Sequence, residues 1–235
     1  MAFDIDAPRK PFLARGSNIG RCESCFLPLL SCLCSEKPKV KGKAVFWLLT
    51  HNDEIYKPTN TGRLIVDVID GARVFKWSRT DPDLAFIDAL SDEQYQPCIV
   101  FPSGKSYQQR MIVSENLSEK IPAFIILDGT WRQARRMFRL SRYLDDLPVM
   151  QPSAAAISRY QLRQSVEKHH LCTAEVAAQM LREVSDDHSA DVLDAYFDLF
   201  NAEYYATRRA VDMSGASAVA RHRLAQLQNS VNNIT

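Results

Sequence analysis

Two groups of residues have the types and spacing to do chemistry. Cys22-x-x-Cys25 and Cys32-x-Cys34 place four thiols in one short stretch. Four thiolates match the tetrahedral sulfur site that Zn²⁺ prefers. A disulfide pair or a redox CxxC are the alternatives. Disulfides fit poorly with the absence of a secretion signal, and a redox CxxC belongs in a thioredoxin-like βαβ context. The second group is Asp128-Gly129-Thr130-Trp131, which follows the apolar run Ile121-Pro-Ala-Phe-Ile-Ile-Leu127 and opens into Arg132-Gln-Ala-Arg-Arg136. It puts a carboxylate, a glycine and a tryptophan at one strand-to-helix corner, where α/β proteins build sites. Gly129 allows a tight turn that leaves amide N–H groups open to a ligand. An ordinary capped turn with a solvated aspartate is the other reading.

The helix that follows carries a basic face. At about 100° per residue, Arg132, Arg135, Arg136, Arg139 and Arg142 fall within roughly 120° of one another. Ala134, Phe138 and Ser141 lie opposite. With no acid interleaved, such a stripe suits phosphates or RNA, against the alternative of a solvated face, and Arg159 and Arg163 extend it. Phe101-Pro-Ser-Gly-Lys-Ser106 contains Gly-Lys-Ser, but Ile99 occupies the place of the first P-loop glycine, which excludes a Walker site. The segment can still be a ligand-facing loop. In Lys57-Pro-Thr-Asn-Thr-Gly-Arg-Leu64, Asn60 and Thr61 read as helix caps. His169 and His170 diverge on either a helix or a strand and do not converge on one ion; His51 has no assigned role. Cys98 reads as a small buried hydrophobe.

These residues need a scaffold, and composition sets its class. The chain has 235 residues, 46% of them hydrophobic, with a formal net charge of +1. That is enough for one large domain or one domain with a small appendage, with no global bias toward nucleic acid. No apolar stretch approaches the roughly 20 residues of a membrane span. The N-terminal Met1-Ala-Phe-Asp-Ile-Asp-Ala-Pro8 has acids and no apolar core, unlike a signal peptide. A cytoplasmic protein is expected. Strands are predicted at Ala44–Leu49, Ala72–Trp77, Ile99–Phe101 and Phe124–Leu127. The last is apolar without alternation, as in a sheet buried on both faces. Thr80-Asp81-Pro82 predicts the start of a helix reaching Leu90. Thr130 and Gln133 predict a capping box for a helix starting at Trp131. From Leu171 onward the pattern is helical. Strands alternating with helices imply a mostly parallel α/β sheet. The chain divides into a flexible arm (1–21), a zinc knuckle with a basic connector (22–42), a main catalytic domain (43–210) and a tail (211–235) whose end, from Gln228, is expected to fray.

The residues also carry a resemblance. The Cys22/Cys25/Cys32/Cys34 cluster, Thr59-Asn-Thr-Gly-Arg-Leu64, Phe101-Pro102, Asp128-Gly-Thr-Trp131 with Gln133-Ala134-Arg135, and Leu171-Cys-Thr-Ala-Glu175 occur in an order that resembles the DTW-domain family. Within it the chain looks most like the bacterial tRNA-uridine aminocarboxypropyltransferases, over roughly residues 20 to 200. Cys172-Thr-Ala-Glu-Val176 departs from the Ser/Thr-Leu-Glu-Ala type of sequence common there.

The resemblance implies transfer of the 3-amino-3-carboxypropyl group of S-adenosylmethionine to N3 of a tRNA uridine, leaving methylthioadenosine. It also implies a Rossmann-like sheet of SPOUT-like type with a C-terminal trefoil knot. Asp128 is then the catalytic residue, as base toward N3 or as anchor of the cofactor's amino group. Cofactor contacts fall to Asn60, Thr61, Phe101, Pro102, Ser103, Leu127, Gly129, Thr130, Trp131, Leu171 and Thr173, with open amides in the 101–104 and 171–173 loops holding adenine and ribose. Arg132, Arg135, Arg136 and Arg139 hold tRNA, and the four cysteines hold structural zinc. A SPOUT-like RNA methyltransferase and a non-catalytic zinc and RNA-binding adaptor are the alternatives.

Overall fold

A computed structural model of the chain describes residues 19–153 and 171–232. Five parallel strands form one sheet in the order β2-β1-β4-β3-β5, comprising β1 (Val45–Thr50), β2 (Arg73–Lys76), β3 (Tyr95–Val100), β4 (Ile121–Asp128) and β5 (Val149–Met150). All six residues of β1 are buried, as a central parallel strand covered on both faces requires. Alternate residues feed two cores. Phe46, Leu48, Phe124 and Ile126 pack with α1 (Gly62–Val68), α4 (Thr173–Glu183) and α5 (Asp187–Arg209). Val45, Trp47, Leu49, Ile125 and Leu127 pack on the other face with α2 (Leu84–Leu90) and α3 (Trp131–Leu140).

Several elements differ from expectation for identifiable reasons. Strand β3 begins four residues early and runs through Pro97, which pairs with Ala123 of β4. Its other neighbour, β5, pairs only with Ile99 and Val100. At Pro97 that side has no ladder bond to lose, so the proline is tolerated. β5 itself is two residues long and too short to show a period. Helix α2 starts at Leu84, capped by Asp83, whose side chain accepts from the Ala85 N–H at 3.0 Å. Pro82 keeps the residue before it out of helical conformation, so Thr80 and Asp81 stay outside.

The C-terminal stretch also departs from expectation. Residues Ser214–Asn232 form α6, which lies along α5 and buries Ala220 and Leu224, one helical turn apart. Gln228 to Asn232 continue that helix rather than fray. None of the described helices is long and apolar enough to cross a membrane. The N-terminal arm up to residue 18, Arg159, Arg163, His169 and His170 lie outside the described residues. So does the path of residues 154–170 between β5 and α4, on which the expected knot depends.

The sheet order creates a switch point. From β1 the chain leaves through α1 to β2 at one edge; from β4 it leaves through α3 to β5 at the other. β1 and β4 are neighbours, so their carboxyl ends flank the crevice where open parallel sheets bind ligands. Their terminal residues, Thr50 and Asp128, are register partners.

Candidate active site and metal centre

Asp128 ends β4 on the face that packs against α1 and α4. Its side chain is buried and held by three donors from separate segments. Asn60 Nδ2 donates to Oδ2 at 2.7 Å, Thr50 Oγ1 to the same oxygen at 3.4 Å, and Thr173 Oγ1 to Oδ1 at 2.9 Å. Burial pushes the carboxyl above the ordinary carboxylate range, and the buried Glu54 nearby adds to the rise. The bonds from Asn60, Thr173 and Thr50 oppose it. The solvated aspartate of the capped-turn reading is therefore excluded.

The loop from His51 to Thr61 builds the other wall. Of the two expected caps, Thr61 makes no side-chain cap bond, whereas Asn60 bonds a helix-start amide and serves Asp128 as well. Asn60 Oδ1 accepts from the Gly62 N–H at 2.6 Å, a helix-start bond, while its amide reaches Asp128 and the Glu54 carbonyl at 3.1 Å. A Cβ at Gly62 would lie 3.0 Å from both Asn60 Oδ1 and Asp128 Oδ2, so a side chain there would press on both. Thr61 is buried and accepts from the Ala174 N–H at 3.4 Å, fastening α1 to α4. Glu54 pairs with Lys57 at 2.7 Å.

At the corner, Thr130 caps α3 in the expected capping box with Gln133. Gln133 Oε1 accepts from the Thr130 N–H at 2.7 Å, so its amide nitrogen faces His51 Nδ1 at 3.2 Å. The Asp53 N–H donates to the same nitrogen at 3.3 Å. The Asp53 carboxylate lies 3.4 Å from Nδ1 as well. The His51 ring stacks on Trp77 at 5.5 Å. Gly129 turns between these groups; a Cβ there would meet Gln133 Cβ at 3.0 Å.

Phe101 and Trp131 meet beside this corner. Their rings stack at 5.4 Å, and Phe101 stacks on Phe138 at 4.3 Å with the planes 2° apart. Trp131 is 39% exposed and so belongs neither to the core nor wholly to solvent. Arg135 lies over it at 5.6 Å. Arg132, Arg135, Arg136 and Arg139 are all exposed, as the helical period predicts, and no described acid pairs with them. Arg142 is a correction. Ser141 leaves helical conformation (ψ 84°) and ends α3, so Arg142 sits in a 3₁₀ turn and pairs with Asp145 at 3.4 Å.

Not all the expected open amides are open. The Ser103 N–H donates to Gln151 Oε1 at 2.7 Å, the Cys172 N–H to Glu175 Oε2 at 2.8 Å, and the Thr130 N–H to Gln133. The Pro102 carbonyl accepts from the Tyr107 hydroxyl at 2.6 Å. Leu127 is buried in the core opposite Asp128, and Leu171 is half-buried just before α4. Thr50, Glu54, Gly62 and Arg63 escaped assignment from sequence. Gly62 and Arg63 stand in the segment next to Asn60 and could have been found there; Thr50 and Glu54 carry no local signal.

The four cysteines converge. Their sulfurs lie within 4.8 Å of one another, with Cys22 to Cys34 at 3.5 Å and Cys25 to Cys32 at 3.7 Å. A zinc tetrathiolate with Zn–S near 2.3 Å has edges of about 3.8 Å, so the set fits that ion. The hairpin that carries the first pair is closed by Cys22 N–H to Leu27 O and Phe26 N–H to Cys22 O, both at 2.9 Å, with Phe26 left-handed at φ 57°. Backbone N–H groups of Cys25 and Ser24 lower the Cys22 thiol to about 6, while burial raises Cys25 to about 12. Cys25, Leu27 and Leu33 belong to the same core as α1, α4 and α5. Cys98 is buried as expected, its thiol raised to about 12.

No solved structure matches the chain at a significant level. The family model described as the DTW domain matches residues 19–205, from just before the cysteine cluster to the end region of α5. That span contains the four thiols, the Asn60 loop, the Asp128 corner and Thr173, and the chain belongs to the DTW-domain family.

Proposed function

We propose that this chain is a tRNA-modifying transferase that moves the 3-amino-3-carboxypropyl group of S-adenosylmethionine to N3 of a uridine and releases methylthioadenosine. Membership of the DTW family is consistent with tRNA modification. The observation that carries the reading is Asp128, a buried carboxyl with a raised pKa at the switch point of a parallel sheet. When bound, S-adenosylmethionine supplies an electrophilic carbon on a cationic sulfur. Uracil N3 is a poor nucleophile until it loses its proton. Asp128 takes that proton as the N3–C bond forms and the C–S bond breaks, and a pKa above the usual carboxylate range suits it to the task. Thr50, Asn60 and Thr173 fix its orientation. Gly62, with no side chain, keeps the backbone close to it. Trp131, 39% exposed between Phe101 and Arg135, is the candidate side chain to stack on a base, and the arginines of α3 lead the phosphate backbone toward it.

One observation favours a second role for Asp128. Both of its oxygens already accept hydrogen bonds, as an anion held to receive a cation does. In that role it anchors the ammonium group of the methionine moiety. Incubation with tRNA and S-adenosylmethionine, followed by mass mapping of the nucleoside, tests the reaction. An aminocarboxypropyl increment is expected; a methyl increment means a methyltransferase, and an absence of cofactor binding in calorimetry means an adaptor. For Asp128→Ala, loss of transfer with unchanged cofactor affinity identifies the base, and lost affinity identifies the anchor.

Cys22, Cys25, Cys32 and Cys34 hold structural zinc in this reading, which elemental analysis of protein purified without chelators checks. Free thiols suit a reducing cytoplasm. This reading assigns the sheet to the SPOUT-like class and expects a C-terminal knot of it.

A further inference from the structure

We propose that Arg63 is a positioning residue that ties the Asp128 corner to the four-cysteine cluster, so that a metal held by the thiols fixes the loop that orients Asp128. The proposal rests on the metal reading of that cluster. Arg63 lies in the first turn of α1, and its guanidinium spreads over three backbone carbonyls. Nε donates to Asn60 O at 3.1 Å, Nη2 to Lys57 O and Nη1 to Cys25 O. The planar fork suits three acceptors around one plane, which a lysine cannot match.

Asn60, whose carbonyl Arg63 holds, is also the residue whose amide donates to Asp128 at 2.7 Å. Cys25, Arg63, Asn60 and Asp128 thus form one unbroken chain of contacts. A second link runs beside it. The Phe26 ring lies under the Arg63 guanidinium at 4.9 Å and meets Tyr56, in the same loop as Asn60, edge-on at 6.4 Å. Phe26 is the left-handed residue directly after Cys25. The turn that aims the Cys25 carbonyl is therefore the turn whose two thiols share the ion. With metal bound, that turn is cross-linked to Cys32 and Cys34; without it, the turn keeps its two hairpin hydrogen bonds, the Arg21 Nη1 bond to Phe26 O at 3.0 Å and its contacts with Arg63, but loses the tie to Cys32 and Cys34.

Hydrogen exchange by mass spectrometry of peptides covering residues 55–66 tests the link in the full chain, zinc-loaded and after chelation, with zinc measured by elemental analysis. Stripping zinc from the wild-type chain is expected to speed exchange there at least fivefold. Arg63→Ala, still holding its zinc, is expected to show the same fast exchange, with no further rise on chelation. Arg63→Lys, which keeps a cationic donor group but not the planar fork, falls between. Wild-type protection in loaded Arg63→Ala or Arg63→Lys overturns the proposal. So does an equal increment on chelation in wild type and variant, the signature of independent effects. Phe26→Ala provides a second variant outside the hydrogen-bond chain, expected to reproduce part of the rise. The readout needs neither S-adenosylmethionine nor RNA, so its failure is distinct from failure of the transferase reading.

Discussion

The cysteine cluster and the Asp128 corner are built in opposite ways. The cluster gathers its chemistry from one short stretch, Cys22 to Cys34, closed by its own hairpin. The corner gathers Thr50, Asn60, Asp128 and Thr173 from four segments, and none of its contacts with Asp128 is local. A local site needs only thiols and a turn, because the ion supplies the organising energy. A dispersed site needs the finished sheet, because only the register of β1 against β4 and the packing of α1 and α4 bring its donors together. The difference also predicts how each fails. The cluster should fail by losing its metal and destabilising the fold, the corner by losing chemistry while the fold survives.

The largest test of that contrast is Asp128→Asn. Loss of a positioned base costs on the order of 10²- to 10⁴-fold in rate, read by nucleoside mass spectrometry. Stability should move the other way. The raised pKa means the folded chain binds this proton more tightly than the unfolded chain, so the charged form destabilises the fold above the raised value. That penalty fades as pH falls through the folded pKa toward the ordinary carboxylate range. The amide can keep the bonds, with its oxygen facing Asn60 and Thr50 and its nitrogen donating to the Thr173 hydroxyl. Asp128→Asn is therefore expected to melt higher than wild type near neutral pH, with the gap closing in acid. A lower melting temperature at neutral pH would break the comparison.

Cys25→Ser should do the reverse. It removes a ligand whose residue is buried in the main core. Zinc content should fall, and a loss of about 3 kcal/mol would lower the melting temperature by roughly 10 °C. Unchanged melting in a metal-free variant would show that the cluster is not a structural site.

Asn60→Ala sharpens the contrast from within the corner. It removes the strongest of the hydrogen bonds that hold the Asp128 pKa down, so that pKa should rise further. The acid limb of the pH–rate profile should move to higher pH and the neutral rate fall about tenfold, for a bond to a charged group worth about 1.5 kcal/mol. An unmoved limb would detach Asn60 from Asp128.

The smallest effects belong to the arginines. Arg136→Gln with Arg139→Gln should weaken tRNA binding several-fold and reduce the salt dependence by about two counterions, measured by titration at several salt concentrations. Arg142→Ala, outside the helix and paired with Asp145, should leave both unchanged.

How far each region was legible from sequence follows the same division. Phe124 to Leu127 read as a buried strand because they are apolar without alternation, and Thr130 with Gln133 read as a cap because a capping box spans one turn. The α3 arginines fell on one face because the helical period is fixed, but Arg142 did not, since Ser141 ends the helix. The two-residue β5 and the proline-bearing start of β3 were hidden, because pairing rather than propensity makes them strands. The amides of Ser103 and Cys172 read as open because their partners, Gln151 and Glu175, are set by three-dimensional contact and by a cap whose first residue is a cysteine.

By itself, then, the sequence determined the four-thiol cluster, the two-faced strands and the capped Asp128 turn. Each depends on spacing within a few residues, where chain geometry fixes what can meet. Only the tertiary structure decided that Asp128 is buried rather than solvated, that Asn60 serves it as well as α1, and that Arg63 joins it to the cysteines. Those contacts close loops of tens of residues, and no local pattern specifies which of many distant side chains will arrive.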